Sequence, residues 1–386
     1  MVEVDIKRMK EMAKLFYRMK KPLYVHGSMG IGKSDGVRQA AQEIAEKQGL
    51  KYAESLIDIK IIGDKVQSVN VEHHYKDPEK HFFLMDVRIT SLDPSDLRGI
   101  PFPDQGVVKW LSPNWLPKMG KGILFFDEMN LAPPSIQASA YQLVLDRKVG
   151  DYVLPDDWSI VAAGNLASDK ANIFPMAAPL KNRFSHLTLL PPAEHIEGGW
   201  GWRDWAMQNN IHADVIAFMA FKPSMLHKFD GKSKEDAFPT HRTWALSSDM
   251  IEGLTDEEEI RIVVASCVGE GAANEYMGFR ALKKKINLDD LLKNPEKVKK
   301  ITDISLKYSL VSGLAERYKA EKLSKPATRQ DKLDKILAVA GHLDAEFGVF
   351  LLRMLKGIIN DQTFVKDVMN AKNWMSLYKQ YGKYLI

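Results

Sequence analysis

The chain is poorest in cysteine: Cys267 is the only one among 386 residues. This excludes an internal disulfide framework and any cysteine-based zinc site, and it suits a reducing cytosol. Cys267 itself lies in an apolar helical stretch, Ile262 to Val268, and reads as a small buried hydrophobe. Long apolar runs are also missing. None approaches the roughly 18 residues needed to span a bilayer, and the N-terminal Met-Val-Glu-Val-Asp-Ile-Lys-Arg carries charges where a signal peptide needs its apolar core. The expectation is a cytoplasmic protein with no membrane partner. Charge of one sign is lacking too: a net +4 argues neither for nor against nucleic acid. His73 and His74, beside Tyr75, have no partner at metal-ligand spacing and read as loop residues. There is no internal repeat, no low-complexity segment and no clustered basic–aromatic platform of the kind that binds nucleic acid. What remains, 45% hydrophobic and 27% charged residues, is an ordinary globular composition. The length suffices for two or three domains.

Against this plain background one segment stands out. Gly27-Ser28-Met29-Gly30-Ile31-Gly32-Lys33-Ser34 matches the phosphate-binding pattern G-x-x-x-x-G-K-[ST] in full. In such a loop successive backbone N–H groups bind phosphate oxygens, a lysine (Lys33) reaches the β- and γ-phosphates, and a hydroxyl (Ser34) ligates Mg²⁺. The flanks supply the required context. Pro22 to His26 reads as a short buried strand, and Val37 to Lys47 as the helix whose N-terminus faces the phosphates.

A second segment supplies carboxylates. Gly122-Ile-Leu-Phe-Phe-Asp127-Glu128-Met129 is a run of four apolar residues ending in two acids. A buried strand of this kind delivers its acids to the mouth of an α/β sheet. Asp127 would hold Mg²⁺ through its water shell, and Glu128 would take a proton from the water that attacks the γ-phosphate. Together the two segments predict nucleotide hydrolysis.

The rest of the chain orders around them. Residues 3–20 predict an amphipathic helix. Residues 55–71, two alternating runs around Gly63-Asp64, predict an inserted hairpin. Phe82–Ile89, Ile123–Phe126, Trp158–Gly164 and His186–Leu190 read as further core strands. Strands alternating with helices predict an α/β fold, a mostly parallel sheet in three layers. After Pro191-Pro192 the strand-like runs give way to helical patterns. The expected domains are a nucleotide-binding core over 1–192, a compact helical domain over 193–285 and a helical extension over 286–386. The extension carries an excess of basic over acidic residues, dispersed at helical spacing, which reads as a solvated face more readily than as a binding patch.

Three further residues narrow the class. Ala162-Ala-Gly-Asn165 ends a strand with an amide that sits between the two acidic positions and can orient the attacking water. Arg183, in Asn-Arg-Phe, and Arg242, in Pro-Thr-His-Arg, could approach a γ-phosphate from different sides, as a transition state with dispersed charge requires. Each also has a structural alternative: a surface ion pair for Arg183, and packing of the second domain through Trp244 for Arg242.

Over residues 20–285 this ordered set resembles the AAA+ ATPases, and within them the MoxR-type branch, including phage-encoded relatives. The resemblance implies a P-loop αβα core with a helical lid, ATP with Mg²⁺ as cofactor, Asn165 as sensor 1, Arg183 as the finger arginine reaching a neighbouring subunit, and Arg242 as sensor 2. Leu92-Asp-Pro-Ser-Asp-Leu-Arg98-Gly-Ile-Pro101 is similar to the family's Asp-Leu-x-Gly segment, although Arg98 could simply brace a loop. Met29 stands where the family usually has proline. The resemblance further implies a homo-oligomeric ring, usually of six, that remodels a protein client, and a partner with a von Willebrand factor A domain. A nucleic-acid motor built on the same engine is the alternative. In either, hairpins at Gly106–Leu111 and Leu145–Leu154 would face the pore, with Trp110 and Tyr152 as gripping tips or as side chains packed under their own hairpins.

Overall fold

A computed structural model describes residues 1–56, 59–62, 65–68, 77–169, 174–195, 201–229, 235–321, 325–358 and 361–382. The chain divides into two compact units, one formed by Met1–Pro192 with Asp230–Ser233, the other by Ala193–Phe229 with Lys234–Ile386.

The first unit follows the order β1 (Val2–Val4), α1 (Ile6–Met19), β2 (Leu23–Gly27), α2 (Lys33–Lys47), β3 (Lys51–Leu56), β4 (Ile59–Ile62), β5 (Lys65–Ser68), β6 (His81–Arg88), α3 (Pro94–Arg98), β7 (Ile100–Asp104), β8 (Val107–Leu111), β9 (Lys121–Asp127), α4 (Pro134–Asp146), β10 (Lys148–Val149), β11 (Tyr152–Val153), β12 (Trp158–Asn165), α5 (Ala178–Lys181) and β13 (Ser185–Leu189). Seven strands form one sheet in the order β1-β13-β2-β12-β9-β6-β3. Every pairing in it is parallel.

A parallel sheet is covered on both faces, so its strands read as near-continuous apolar runs. Alternation then sorts them. Val25, Leu84, Phe125 and Val161 meet α1 and α2 through Met9, Ala13, Val37 and Ala41. Met85, Phe126, Ile160 and Ala162 meet α4 through Ile136, Ala140 and Leu143. The result is the three-layer α/β arrangement that the alternation of elements predicts. Two strands escaped the sequence reading. β1 is a three-residue edge strand whose first two residues are exposed, and β3 begins before the run that reads as a hairpin. Within that run β4 and β5 pair antiparallel, Ile62 opposite Lys65; Gly63-Asp64 and the His73-His74-Tyr75 loop lie outside the described residues.

The second unit is helical: α6 (Trp202–Gln208), α7 (Ala213–Phe221), α8 (His241–Ile251), α9 (Glu257–Val268), α10 (Glu270–Ala281), α11 (Leu288–Lys293), α12 (Ile304–Lys319), α13 (Pro326–Ala340), α14 (Ala345–Ile358), α15 (Asp361–Met369) and α16 (Trp374–Tyr381). Its helices start where the sequence offers caps. Thr240 closes a capping box with Thr243, and Asp256, Asn287 and Asp303 accept from the first-turn amides of α9, α11 and α12. One apolar cluster runs from Trp202 through Phe218, Trp244, Tyr276 and Leu314 to Tyr381. Residues before and after 285 therefore share a core rather than forming two. Cys267 is buried in it.

Candidate nucleotide site

The loop after β2 turns through Gly30 and Gly32, both at positive φ (69° and 89°), where a side chain would be strained. Gly32 is the N-cap of α2 and makes no side-chain cap bond. A 15-residue helix thus presents its first-turn amides uncapped, beside a glycine-rich turn. Lys33 is the first helical residue. Its buried ammonium donates to the carbonyls of Gly27 and Ser28, both at 2.7 Å, and to Asn165 Oδ1 at 3.0 Å. Ser34 follows it directly in the same first turn, and its hydroxyl donates to Asp127 Oδ2 at 2.6 Å.

Sheet order explains why three distant segments meet. β12, which ends at Asn165, lies between β2, which enters the loop, and β9, which ends at Asp127. Asn165 pairs with Gly27 in register. The C-terminal ends of adjacent parallel strands thus bring the loop, the amide and the carboxylates to one edge of the sheet. Glu128 follows Asp127 in a left-handed conformation, φ 55°, with its amide bonded to Asp127 Oδ1 at 2.9 Å and its side chain exposed. A non-glycine residue held there turns the chain sharply and separates the two acids, one toward Ser34 and one toward solvent.

Sequence reading missed two supporting residues. Asn130 is buried and clamps the end of β12: its Nδ2 donates to the Asn165 carbonyl at 2.8 Å, and its Oδ1 accepts from the Asn165 amide at 3.0 Å. Gly164 permits this, because a Cβ there would lie 2.5 Å from Asn130 Oδ1 and 2.0 Å from the Tyr24 hydroxyl. Asp169, also buried, accepts from the Ser28 hydroxyl at 3.0 Å and so ties the loop to the segment after β12. The only sequence signal for either was a polar residue shortly after a strand end.

Two buried titratable groups border the site. On the α2 face, Asp86 of β6 is pushed up to about 6, first by burial and then by the neighbouring Asp127, with Arg38 opposing. Arg38, one turn beyond Ser34, is shared with Glu54 at 2.9 Å and Asp35 at 2.6 Å, and stands 3.7 Å from Asp86. On the opposite face, His26 contacts His186 at 2.9 Å, and burial together with that neighbour lowers it to about 4.

The arginines part company. Arg183 belongs to the first unit, in the turn between α5 and β13. Its Nη2 donates to the Tyr141 hydroxyl at 3.4 Å, and no carboxylate pairs with it among the described residues. Arg242 is exposed in the first turn of α8, in the second unit; it is Trp244 that is buried there, donating to the Met225 carbonyl at 2.7 Å. Arg98 is exposed at the end of α3. Tyr152 is no exposed tip: it is buried, and its hydroxyl donates to the Pro117 carbonyl at 2.6 Å. Trp110 is half-buried against Gly150, with its amide bonded to Asp151 at 2.7 Å, so the two hairpins lean on each other. At the β7–β8 turn Val107 and Val108 are exposed, as are Ile100 and Leu111 at the base of that hairpin and Val153 in the other.

The residues present fit a nucleoside triphosphate with Mg²⁺. Uncapped amides and Lys33 suit phosphate, and the Ser34 hydroxyl beside the Asp127 carboxylate is the hard oxygen set that Mg²⁺ takes. No helix among the described residues is long and apolar enough to cross a membrane.

No family model matches the chain, and no curated protein matches it. Solved structures similar to it include the ORC2 protein of Aeropyrum pernix in ADPNP–ADP complexes, at 11% identity over 96% of this chain and 97% of that one, TM-score 0.35. NtrX from Brucella abortus is similar at 12% identity, over 98% of this chain and 67% of that one, TM-score 0.31. At these values the likeness carries no argument, and the geometry of the site stands on its own.

Proposed function

We infer that this protein binds ATP with Mg²⁺ and hydrolyses it, as an AAA+ enzyme of MoxR type that remodels a protein partner. One observation carries the hydrolytic reading: Lys33, the Ser34–Asp127 pair and Asn165 meet at the C-terminal ends of three adjacent parallel strands. The loop amides and Lys33 bind the phosphates, and Lys33 exchanges its carbonyl and amide acceptors for phosphate oxygens when it does so. Ser34 and Asp127 would hold Mg²⁺, which would supply neutralisation of the phosphates' charge. Release of Lys33 frees the Asn165 side chain, clamped through its backbone by Asn130, to orient a water. Glu128, exposed and unpaired with any cation among the described residues, takes that water's proton. Adenine over guanine rests on the family resemblance.

In this reading Arg183 completes the site of a neighbouring subunit in a ring, a hexamer by resemblance, and Arg242 acts on its own subunit's nucleotide. A protein client is favoured over nucleic acid by the β7–β8 hairpin. Its tip exposes Val107 and Val108, and its one lysine, Lys109, is paired with Asp104. That surface suits apolar segments of polypeptide and offers phosphates little.

The test is ATPase rate per subunit against protein concentration. Glu128→Gln is expected to lower turnover by about 10²-fold or more while ATP binding is kept, and Lys33→Ala to lose binding itself. The rate should rise with concentration, fall in Arg183→Ala, and recover in part when Arg183→Ala is mixed with Glu128→Gln. Full turnover in Glu128→Gln would overturn the hydrolytic assignment. A concentration-independent rate that survives Arg183→Ala would overturn the ring.

A further inference from the structure

The setting of Arg183 is unusual for a half-buried arginine. A guanidinium carries five N–H donors, yet among the described residues the side chain makes one hydrogen bond, the long one to the Tyr141 hydroxyl, and Nε is buried with no partner. Its central carbon lies 5.9 Å from the centroid of the Tyr141 ring. No carboxylate among the described residues compensates it, so the surface ion pair that would make it merely structural is not seen among them.

Everything around it, by contrast, is fixed. Leu180 and Phe184, on either side in sequence, are buried, and Phe184 meets the Tyr24 ring edge-on at 5.4 Å. The Arg183 amide bonds to the Leu180 carbonyl at 3.1 Å. His186 bonds to the Lys181 carbonyl at 2.8 Å. The backbone is therefore held by the core, and among the described residues the guanidinium is left to Tyr141. Tyr141 comes from α4, the helix that follows the Asp127-Glu128 strand, and is itself packed against the apolar layer beneath it.

We propose that Tyr141 is a positioning residue for Arg183: its ring face and hydroxyl hold the guanidinium in a set direction without neutralising it, so that the charge stays available to an anion supplied from outside. An aromatic face suits this role better than a carboxylate. It attracts the cation and, beyond the one long bond to its hydroxyl, leaves the in-plane donors free, whereas an acid would occupy them and would have to be displaced by phosphate. The inference rests on the reading that Arg183 serves a neighbouring subunit's nucleotide.

The experiment measures kcat and KM for ATP in Tyr141→Ala, Tyr141→Phe, Arg183→Ala and the Tyr141→Ala/Arg183→Ala double variant, at a protein concentration where the rate per subunit has levelled. Tyr141→Ala should lower kcat about three- to tenfold with KM unchanged, and Tyr141→Phe, which keeps the ring, should restore most of it. In the Arg183→Ala background the tyrosine change should have no further effect. Mixing Tyr141→Ala with Glu128→Gln subunits should raise the rate per Tyr141→Ala subunit, because the Glu128→Gln neighbour lends an arginine that is still held. A further drop in the double variant equal to that in the wild type, or no gain on mixing, overturns the positioning role while leaving the shared site standing. A wild-type rate in Arg183→Ala overturns the shared site, and this proposal with it.

Discussion

Two buried aspartates, one in each unit, have taken opposite courses. Asp214, in the first turn of α7, is fully buried; burial raises its carboxyl, but Lys283, His212 and Arg280 outweigh that and hold it below the usual carboxylate range. Arg280 bonds to one of its oxygens at 2.6 Å, and Lys283 pairs with the other. Asp86, in β6, is nearly as buried, yet its carboxyl is pushed up to about 6. Among the described residues the cation paired with it, Arg38, is 3.7 Å away and already engaged by Glu54 and Asp35, and Asp86 Oδ1 has no hydrogen-bond partner. Burial alone therefore does not decide the charge of a carboxyl; the number and closeness of uncommitted cations does. In the helical unit the charge of Asp214 is compensated, as a scaffold residue's should be. The sheet tolerates an under-compensated one beside the carboxylate that faces the phosphate loop, a pattern more common at working sites than in scaffolds.

The comparison breaks first at Asp214. Asp214→Asn would leave Arg280 and Lys283 facing an uncharged group in a dry setting, at an expected loss of about 3–5 kcal/mol, read from urea denaturation. A loss below about 1 kcal/mol would mean that the cluster behaves as an exposed ion pair, and the contrast would be false. Asp86→Asn should do the reverse. A carboxyl whose folded pKa is raised, here from 3.8 to about 6, contributes most to stability below pH 4, and that contribution is lost as pH rises through 6. The asparagine variant, which does not titrate, should therefore be more stable than the wild type at pH 7 by about 2–3 kcal/mol, with the gap closing near pH 4. A gap of the same size at both pH values would show that the effect is packing and not charge.

How much of this was legible beforehand follows from the range over which each signal acts. The phosphate loop and the acidic strand are local patterns, and the apolar runs of β6, β9 and β12 announce a sheet buried on both faces. The three-layer fold could therefore be read from the chain. Residues whose role depends on a partner far away in sequence could not. Asp86 reads as one acid within an apolar strand, and only the sheet order sets it beside β9 and under α2. Tyr141 reads as one more aromatic in a helix until the turn at Arg183 folds against it. The two readings of Tyr152, gripping tip or packed side chain, stayed open for the same reason, and its bond to Pro117 decides for the packed one. Short edge strands such as β1 leave almost no periodicity to detect.

Asn130 sharpens the contrast at the smallest scale, because it is a buried polar group of the sheet unit that is satisfied. Its side-chain amide meets both the N–H and the carbonyl of Asn165, and its own carbonyl accepts from the Phe174 amide at 2.7 Å. Asn130→Ala removes both side-chain bonds and leaves two buried backbone groups without them, at an expected cost of about 1–2 kcal/mol. If the clamp serves the site as well as the fold, turnover should fall further than the lost stability explains, while ATP affinity, which rests on the loop and Lys33, stays unchanged. Asn130→Asp separates the two bonds, since it keeps an acceptor for the Asn165 amide and loses the donor to its carbonyl. Turnover in that variant midway between the wild type and the alanine form would assign a share to each bond. Unchanged turnover in both variants would make Asn130 a residue of the fold alone, and would leave Lys33 as the contact that sets where the Asn165 side chain points.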